Sequence, residues 1–463
     1  MNWLVQAVSY FSSSSPTEAA INREQLLARR RQVIGSTCSL FFKDDPLVVQ
    51  RASMQYLYDE TGRKYLDCIS NVQHVGHCHP DVVNAVTKQM NQSNCNLRFV
   101  NANLPDCAEA LLKTLPGLDT VLFVNSGSEA NDLALRLARD FTDHTDAIVI
   151  DHAYHGTVTT TMEMSPYKFR HGSSIVQPEW VHVAPCPDVY RGDHRLDDKD
   201  LENVAKLTEM GVMYADDVEA ILKENAAKGR KVAAYFCEAL QSCGGQVIPP
   251  PGYFKRVADY MHAAGGLFVA DEVQTGFGRV GNTFWAHQIG NEGFVPDIVT
   301  MGKPMGNGFP VSAVVTRREI ADRLGHNVPY FNTYGGNPVA CAAVLAVLNV
   351  LQRDNLLEHS QAMGKIFHEQ LMELKQRHQC IGDIRGVGLF FGLDIVKDRK
   401  TREPNTRLAN DLILKLRRDE GVLLSTDGPY ANVIKIKPPL CFSRENVFQT
   451  VNAIDKGLRE LCN

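Results

Sequence analysis

An α/β fold is what the sequence predicts: a large domain built on a mainly parallel sheet, with a smaller α+β domain beside it. Two observations predict it. Between residues 121 and 303 short apolar runs alternate with helical patterns, as they do where crossover helices cover both faces of a parallel sheet. From about residue 341 the pattern changes to helices with a few short strands.

The runs are, in order, VLFVN (121–125), followed by a helix from Glu129, AIVID (147–151), AAYFCE (233–238), LFVAD (267–271) and DIVTMGK (297–303). Ligands of parallel sheets gather at the carboxyl ends of strands. Four of the five runs lead there into chemically unusual residues: SGSEAND, HAYHG, DEVQ, and Lys303 with PMG. Residues 75–340 are therefore expected to form the large domain and carry the chemistry. Residues 36–74 and 341–463 are expected to form the small domain, with strands around IRGVGLFFGLDIV (384–396) and NVIKIKPPL (432–440). Residues 1–35 read as an N-terminal tail or a presequence.

With 463 residues, 44% hydrophobic and 22% charged, the chain can bury a large core. A net charge of -5 leaves no broad electrostatic footprint for nucleic acid, and no apolar run reads as a membrane span. Small molecules are the expected ligands. Twelve irregularly spaced cysteines suggest reduced, mostly buried thiols. The opening MNWLVQAVSYFSSSS lacks basic residues, but Arg23, Arg29, Arg30 and Arg31 follow it. Arginines with serines suggest a mitochondrial presequence, against which Glu18 and Glu24 count. A cytoplasmic chain with a tail leading into a surface helix is the alternative.

In NSGSEAND (125–132) a strand ends and Gly127 and Ser128 lead into a helix with Leu133, Leu137 and Ala138 on its apolar side. Free amides at a helix N-terminus suit a phosphate; a plain N-cap with Glu129 in the first turn is the bland alternative. Asp271 and Glu272 emerge from a buried strand, a costly place for a carboxylate without a cation or donor. A protonated pyridine nitrogen is one such partner, and a cap or metal ligand is another reading. Lys303 follows a strand and precedes the Gly- and Pro-rich PMGNGFP. Burial and cationic neighbours would lower its pKa and suit it to Schiff-base chemistry, although most lysines lie at the surface. Tyr154, with His155 beside it, offers a face for ring stacking or a core aromatic. Thr333 in TYGGNP is a phosphate donor or part of a turn.

Two other patterns carry less. GFGRVG (276–281) matches a dinucleotide-loop spacing but lies too far from its strand and opens no helical pattern. His74, His77, Cys78 and His79 lack the paired cysteine spacing that makes zinc probable, so a turn before the helix at Pro80 is preferred.

NSGSEAND, DHAYHG (151–156), ADEVQTGFGR (270–279), MGKPMGNG (301–308) and NTYGGNP (332–338) together resemble the class III pyridoxal-phosphate aminotransferases, in that family's order, over about residues 40–440. The resemblance implies the type I pyridoxal-phosphate transferase fold, with a seven-stranded type of sheet, and a homodimer with shared active sites. It implies pyridoxal 5'-phosphate as cofactor, Lys303 as its Schiff-base lysine and Asp271 as partner of the pyridinium. Gln274 would contact the ring hydroxyl, Gly127 and Ser128 the phosphate, Tyr154 would stack, and Thr333 would reach the phosphate of the other subunit's cofactor.

The sequence departs from the family at the substrate end. Many members carry arginine in a late I-R-x-x-P-P segment, where this chain has Lys435 in IKIKPPL. A point charge there is a poor substitute for a bidentate carboxylate fork. In EALQSCGG (238–245) Glu238 is retained while Ala239 and Cys243 differ from the family pattern. SPYKF (165–169), APCPDVYRG (184–192), EALQSCGG and KIKPPLCF look closest to the family's phospho-lyase branch. That resemblance implies β-elimination of phosphate from a phosphorylated primary amine, with an aminotransferase of the alanine–glyoxylate type as the alternative and a non-catalytic binding protein as a remote one. Lys168, Arg170, Lys435 and Lys437 are the candidate substrate cations.

Overall fold

The computed structural model describes residues 22–170, 173–327 and 329–462. At its centre lies a seven-stranded sheet in the order Thr120–Val124, Ser312–Thr316, Ile298–Met301, Leu267–Asp271, Val232–Glu238, Asp146–Ile150, Val181–Ala184. Ile298–Met301 and the four strands beyond it pair in parallel. Ser312–Thr316 runs antiparallel to both its neighbours, so Thr120–Val124 points the same way as the parallel set. The sheet is α/β and mainly parallel, as the alternating runs require.

All five apolar runs lie in this sheet, and two further strands join them. Strand Val232–Glu238 is buried at every position, as expected with layers on both faces. One covering helix is Gly127–Thr142, which turns Leu133, Ala134, Leu137 and Ala138 inward and is capped by Ser126, whose Oγ accepts from Glu129 N at 3.2 Å.

Two smaller sheets flank this body. One joins Val49–Ser53, Tyr56–Asp59 and Lys64–Asp67 to Val422–Leu423, so early and late chain segments meet in it. The other pairs Ile381–Val387, Phe390–Asp398, Val433–Ile436 and Ser425–Asp427 in antiparallel order. The chain closes with helix Arg444–Cys462. Among the described residues no single helix is long and apolar enough to cross a membrane. Arg23–Val33 forms a helix with no buried residue; the hydrophobic and serine-rich opening lies outside the described residues.

One expectation needs correcting: all twelve cysteines are free, but only Cys68, Cys107, Cys186, Cys237 and Cys341 are buried. The histidine cluster takes structural roles around the turn before the helix at Pro80, the reading preferred from the sequence. His74 bonds the Phe277 carbonyl, His77 pairs with Asp67 at 2.7 Å, and His79 caps helix Pro80–Gln92.

Candidate active site

Because the strands of the parallel set, and Thr120–Val124 with them, point one way, their carboxyl ends share one edge of the sheet. There a cavity of about 250 Å³ opens, lined among others by Gly127, Tyr154, Glu238, Asp271, Gln274 and Lys303. Residues separated by more than 170 positions in sequence thus face one space.

One wall is the N-terminus of helix Gly127–Thr142. Its first turn leaves amides without intrahelical partners, and Gly127 and Ser128 line the cavity. Glycine is required at 127 by close approach: a Cβ there would stand 2.6 Å from Val273 Cγ1. Ser128 Oγ accepts from Thr157 N at 3.1 Å, which holds the AYHG loop against this turn.

Asp271 is buried, and its carboxylate is fully engaged on the protein side. Oδ2 accepts from Asn131 Nδ2 at 2.7 Å and faces His155 Nδ1 at 2.8 Å, while Oδ1 accepts from Val273 N at 3.0 Å. Thr300 Oγ1 donates in turn to Asn131 Oδ1 at 2.7 Å. The carboxylate is therefore held in one orientation by groups on three strands' ends and one helix. Its sequence neighbour Glu272 points elsewhere, to His287 Nδ1 at 2.8 Å. Asn131 was not among the residues singled out from sequence, although it lies three positions after Ser128 and hence on the same helix face.

Lys303 projects from the end of Ile298–Met301, its amide donating to the Val273 carbonyl at 3.0 Å. Among the described residues its ammonium makes no ion pair, and burial lowers its pKa from the ordinary lysine value against the opposing pull of Asp271. Tyr154 lies half-buried at the cavity, edge-on to Tyr167 with ring centroids 6.0 Å apart.

Glu238 is clamped by backbone: Oε1 accepts from Tyr154 N at 2.9 Å and Oε2 from Ser242 N at 3.1 Å. Burial pushes its pKa up to about 7, with His155 opposing and Asp271 adding to the rise. A carboxyl raised above its unfolded value contributes stability that is present below about pH 4.5 and lost as pH rises toward 7. Wild-type thermal stability should therefore decline over that interval relative to Glu238→Gln, by on the order of 3 kcal/mol. Melting temperatures of the two proteins between pH 4.5 and 7.5 measure it, and parallel curves contradict it.

The four candidate substrate cations are placed differently. None lines the cavity wall itself. Arg170 is exposed and pairs through Nη1 with Asp151 Oδ2, so the structure does not bring it to the site. Lys168 Nζ lies 5.5 Å from the Tyr154 ring centroid and 5.7 Å from that of Tyr167. Lys435 Nζ is bound to Asp427 Oδ2 at 2.6 Å; burial works against its charge, but Asp427, with Cys243 and Glu238, more than offsets it and the net pKa rises. Lys437 is buried behind Gln274, its Nζ 2.7 Å from Gln274 Oε1 and 2.8 Å from Ser242 Oγ. Thr333 is exposed and outside the cavity, although its neighbour Asn332 accepts from Asn125 Nδ2 at 2.8 Å, beside the phosphate-suited turn.

A helix N-terminus, a buried anchored carboxylate, a desolvated amine and an aromatic face fit the phosphate, pyridinium, aldehyde and ring of pyridoxal phosphate. This fold and this site define a pyridoxal-phosphate enzyme of the α/β type I class. The chain matches the family Aminotransferase class-III over residues 42–458 and belongs to it. It is 64% identical over 462 residues to Ethanolamine-phosphate phospho-lyase homolog 1 of Caenorhabditis elegans, covering 99% of each chain. It is 50% identical over 428 residues to the Alanine--glyoxylate aminotransferase 2-like protein of Drosophila melanogaster, covering 92% of this chain and 85% of that one. Among solved structures, a phospholyase from Arthrobacter in complex with phosphoethanolamine superposes with a TM-score of 0.86 at 38% identity, covering 94% of this chain and 99% of the other.

Proposed function

We propose that this chain is a pyridoxal-phosphate-dependent lyase that eliminates phosphate from a phosphorylated primary amine. Phosphoethanolamine is the first candidate substrate and 5-phosphohydroxylysine, which shares the amine and vicinal phosphate, the second. The observation that carries elimination over transfer is the pair Lys435–Asp427. An amino-acid aminotransferase must hold a carboxylate on each substrate. Where the family resemblance places a bidentate arginine, this chain has a lysine whose charge is already answered at 2.6 Å. A reaction that needs no keto-acid acceptor suits that site, and the similarity to the nematode and Arthrobacter proteins supports the same reading.

When bound, pyridoxal phosphate supplies an aldehyde to take up the substrate amine and an electron-withdrawing ring to stabilise charge on the adjacent carbon. The first-turn amides at Gly127 and Ser128 would hold its phosphate. Asp271, its Oδ2 fixed by Asn131 and His155, would hold the proton on the pyridine nitrogen. Tyr154 and Gln274, which line the same cavity, would hold the ring, Tyr154 through its aromatic face and Gln274 through a hydrogen bond to the ring oxygen. Lys303 Nζ, its charge disfavoured by burial, is the base that takes the proton from the carbon next to the substrate nitrogen. Phosphate would leave the neighbouring carbon with the C–O electron pair, that carbon would take up a proton in exchange for the one Lys303 removed, and water would replace the nitrogen to give aldehyde and ammonia. Lys168 is the cation best placed to meet the substrate phosphate beside Tyr154.

Two copies are proposed to form a homodimer in which Thr333 reaches the partner's cofactor phosphate. Exposed Phe99, Val100 and Tyr334, with Arg98 stacked 3.7 Å from the Phe331 ring centroid, support an interface near that loop. The basic segment from Arg23 supports a mitochondrial location, with the cytoplasm as the alternative.

The similarity to the fly protein favours a second reading, alanine–glyoxylate transamination. One assay separates the two. Incubated with phosphoethanolamine and no keto acid, the enzyme should release inorganic phosphate and ammonia in equal amounts over many turnovers. A transaminase would release neither and would stop after converting its cofactor to the amine form.

A further inference from the structure

We propose that Lys437 is a positioning residue: buried behind Gln274, it holds that amide by its oxygen, so that the amide N–H faces the cavity and donates to the ring oxygen of the bound cofactor. The proposal rests on the reading of Gln274 as the ring-oxygen contact.

The geometry is asymmetric. Gln274 lines the cavity and Lys437 does not. Lys437 is 3% exposed, and its Nζ reaches two neutral oxygens, Gln274 Oε1 at 2.7 Å and Ser242 Oγ at 2.8 Å. A second donor, Asn71 Nδ2, meets the same Oε1 at 3.2 Å. An ammonium has donors only, and two donors converging on one amide oxygen leave the Nε2 hydrogens for the open side. Lys435, two positions away on the same segment, shows the contrast: it is matched by Asp427, whereas among the described residues Lys437 makes no ion pair. Two donors on one oxygen fix the amide's orientation, so that Gln274 presents a preorganised N–H to the cavity and favours the deprotonated ring oxygen.

Lys437 does not stand alone in this field. Lys435 faces it from its own segment, Asp427 from the neighbouring strand, Lys303 from the strand-end loop and Cys243 from the loop after Glu238. Burial, joined by Lys435, lowers its own pKa well below the ordinary value. The rival role for Lys437 is direct binding of the substrate phosphate. That role requires its Nζ to reach past Gln274.

The test is a pH titration of the visible absorbance of the holoenzyme, together with steady-state kinetics on phosphoethanolamine, for wild type, Lys437→Met, Gln274→Ala and the double variant. The midpoint of the absorbance transition should rise by about one unit in each single variant. It should rise no further in the double variant, because Lys437 acts through Gln274. KM should stay within about twofold in Lys437→Met while kcat falls. Lys437→Arg, which keeps the cation and its donors, should recover most of the midpoint. A shift that persists undiminished when Gln274 is alanine overturns the proposal in favour of a direct field. An unmoved midpoint with a raised KM overturns it in favour of phosphate binding. Should Lys437→Met not fold, Ser242→Ala removes one anchor of Lys437 and should move the midpoint the same way; no movement there also overturns it. A wild-type protein that shows no visible band with added cofactor would instead overturn the cofactor reading itself.

Discussion

Lys303→Ala is expected to lower turnover by at least about 10⁴-fold, the upper range for removing a positioned proton-transfer group, since in the proposed mechanism the same amine also anchors the cofactor. The protein itself should fold. The Lys303 ammonium supports no hydrogen bond or ion pair among the described residues, and its burial disfavours the charge. Replacing it by a small apolar group relieves desolvation at the end of a strand that is otherwise fully buried. The variant's melting temperature should accordingly match or exceed that of the wild type without cofactor, while the increase in stability that cofactor gives the wild type is largely lost. Turnover measured by phosphate release, alongside melting with and without cofactor, checks both halves. Retained turnover would remove Lys303 from the chemistry.

Asp271→Asn should cost about 10²–10³-fold in kcat, the size of effect seen when one preorganised electrostatic partner is removed. A neutral amide cannot hold the proton on the pyridine nitrogen, so the ring withdraws less charge from the reacting carbon. This substitution should also destabilise the fold, unlike the first. Asn131 Nδ2, His155 Nδ1 and Val273 N all lie against Asp271 oxygens. Asparagine offers one acceptor oxygen, so at least one buried donor faces an NH₂ group, at a cost of about 1–3 kcal/mol. Kinetics and thermal melting on the same preparation separate the effects. A variant that melts lower yet turns over normally would show that Asp271 is structural only.

The parallel core was legible because strands covered on both faces must be continuously apolar, and VLFVN, AIVID, AAYFCE, LFVAD and DIVTM satisfy that. Ser312–Thr316 was missed, yet the stretch 302–311 is too short for a crossover helix and so dictates an antiparallel return. Val181–Ala184 is only four residues long, with His182 interrupting it, and leaves little periodicity to read. Asp271, Lys303, Tyr154 and Glu238 converge because each follows or ends a strand whose direction the fold fixes. The basic residues did not share that logic. Whether Arg170, Lys435 or Lys437 reaches a ligand depends on Asp151, Asp427, and Ser242 with Gln274, partners brought close by tertiary structure. Asn71, which meets Gln274 across more than 200 positions, has no local signal at all.

Reductive trapping tests the central claim most directly. Holoenzyme treated with borohydride, digested and mapped by mass spectrometry should carry a single pyridoxyl-phosphate group, on the peptide containing Lys303. Modification of Lys168, Lys435 or Lys437 in its place, or a protein that takes up no cofactor to trap, would contradict the account.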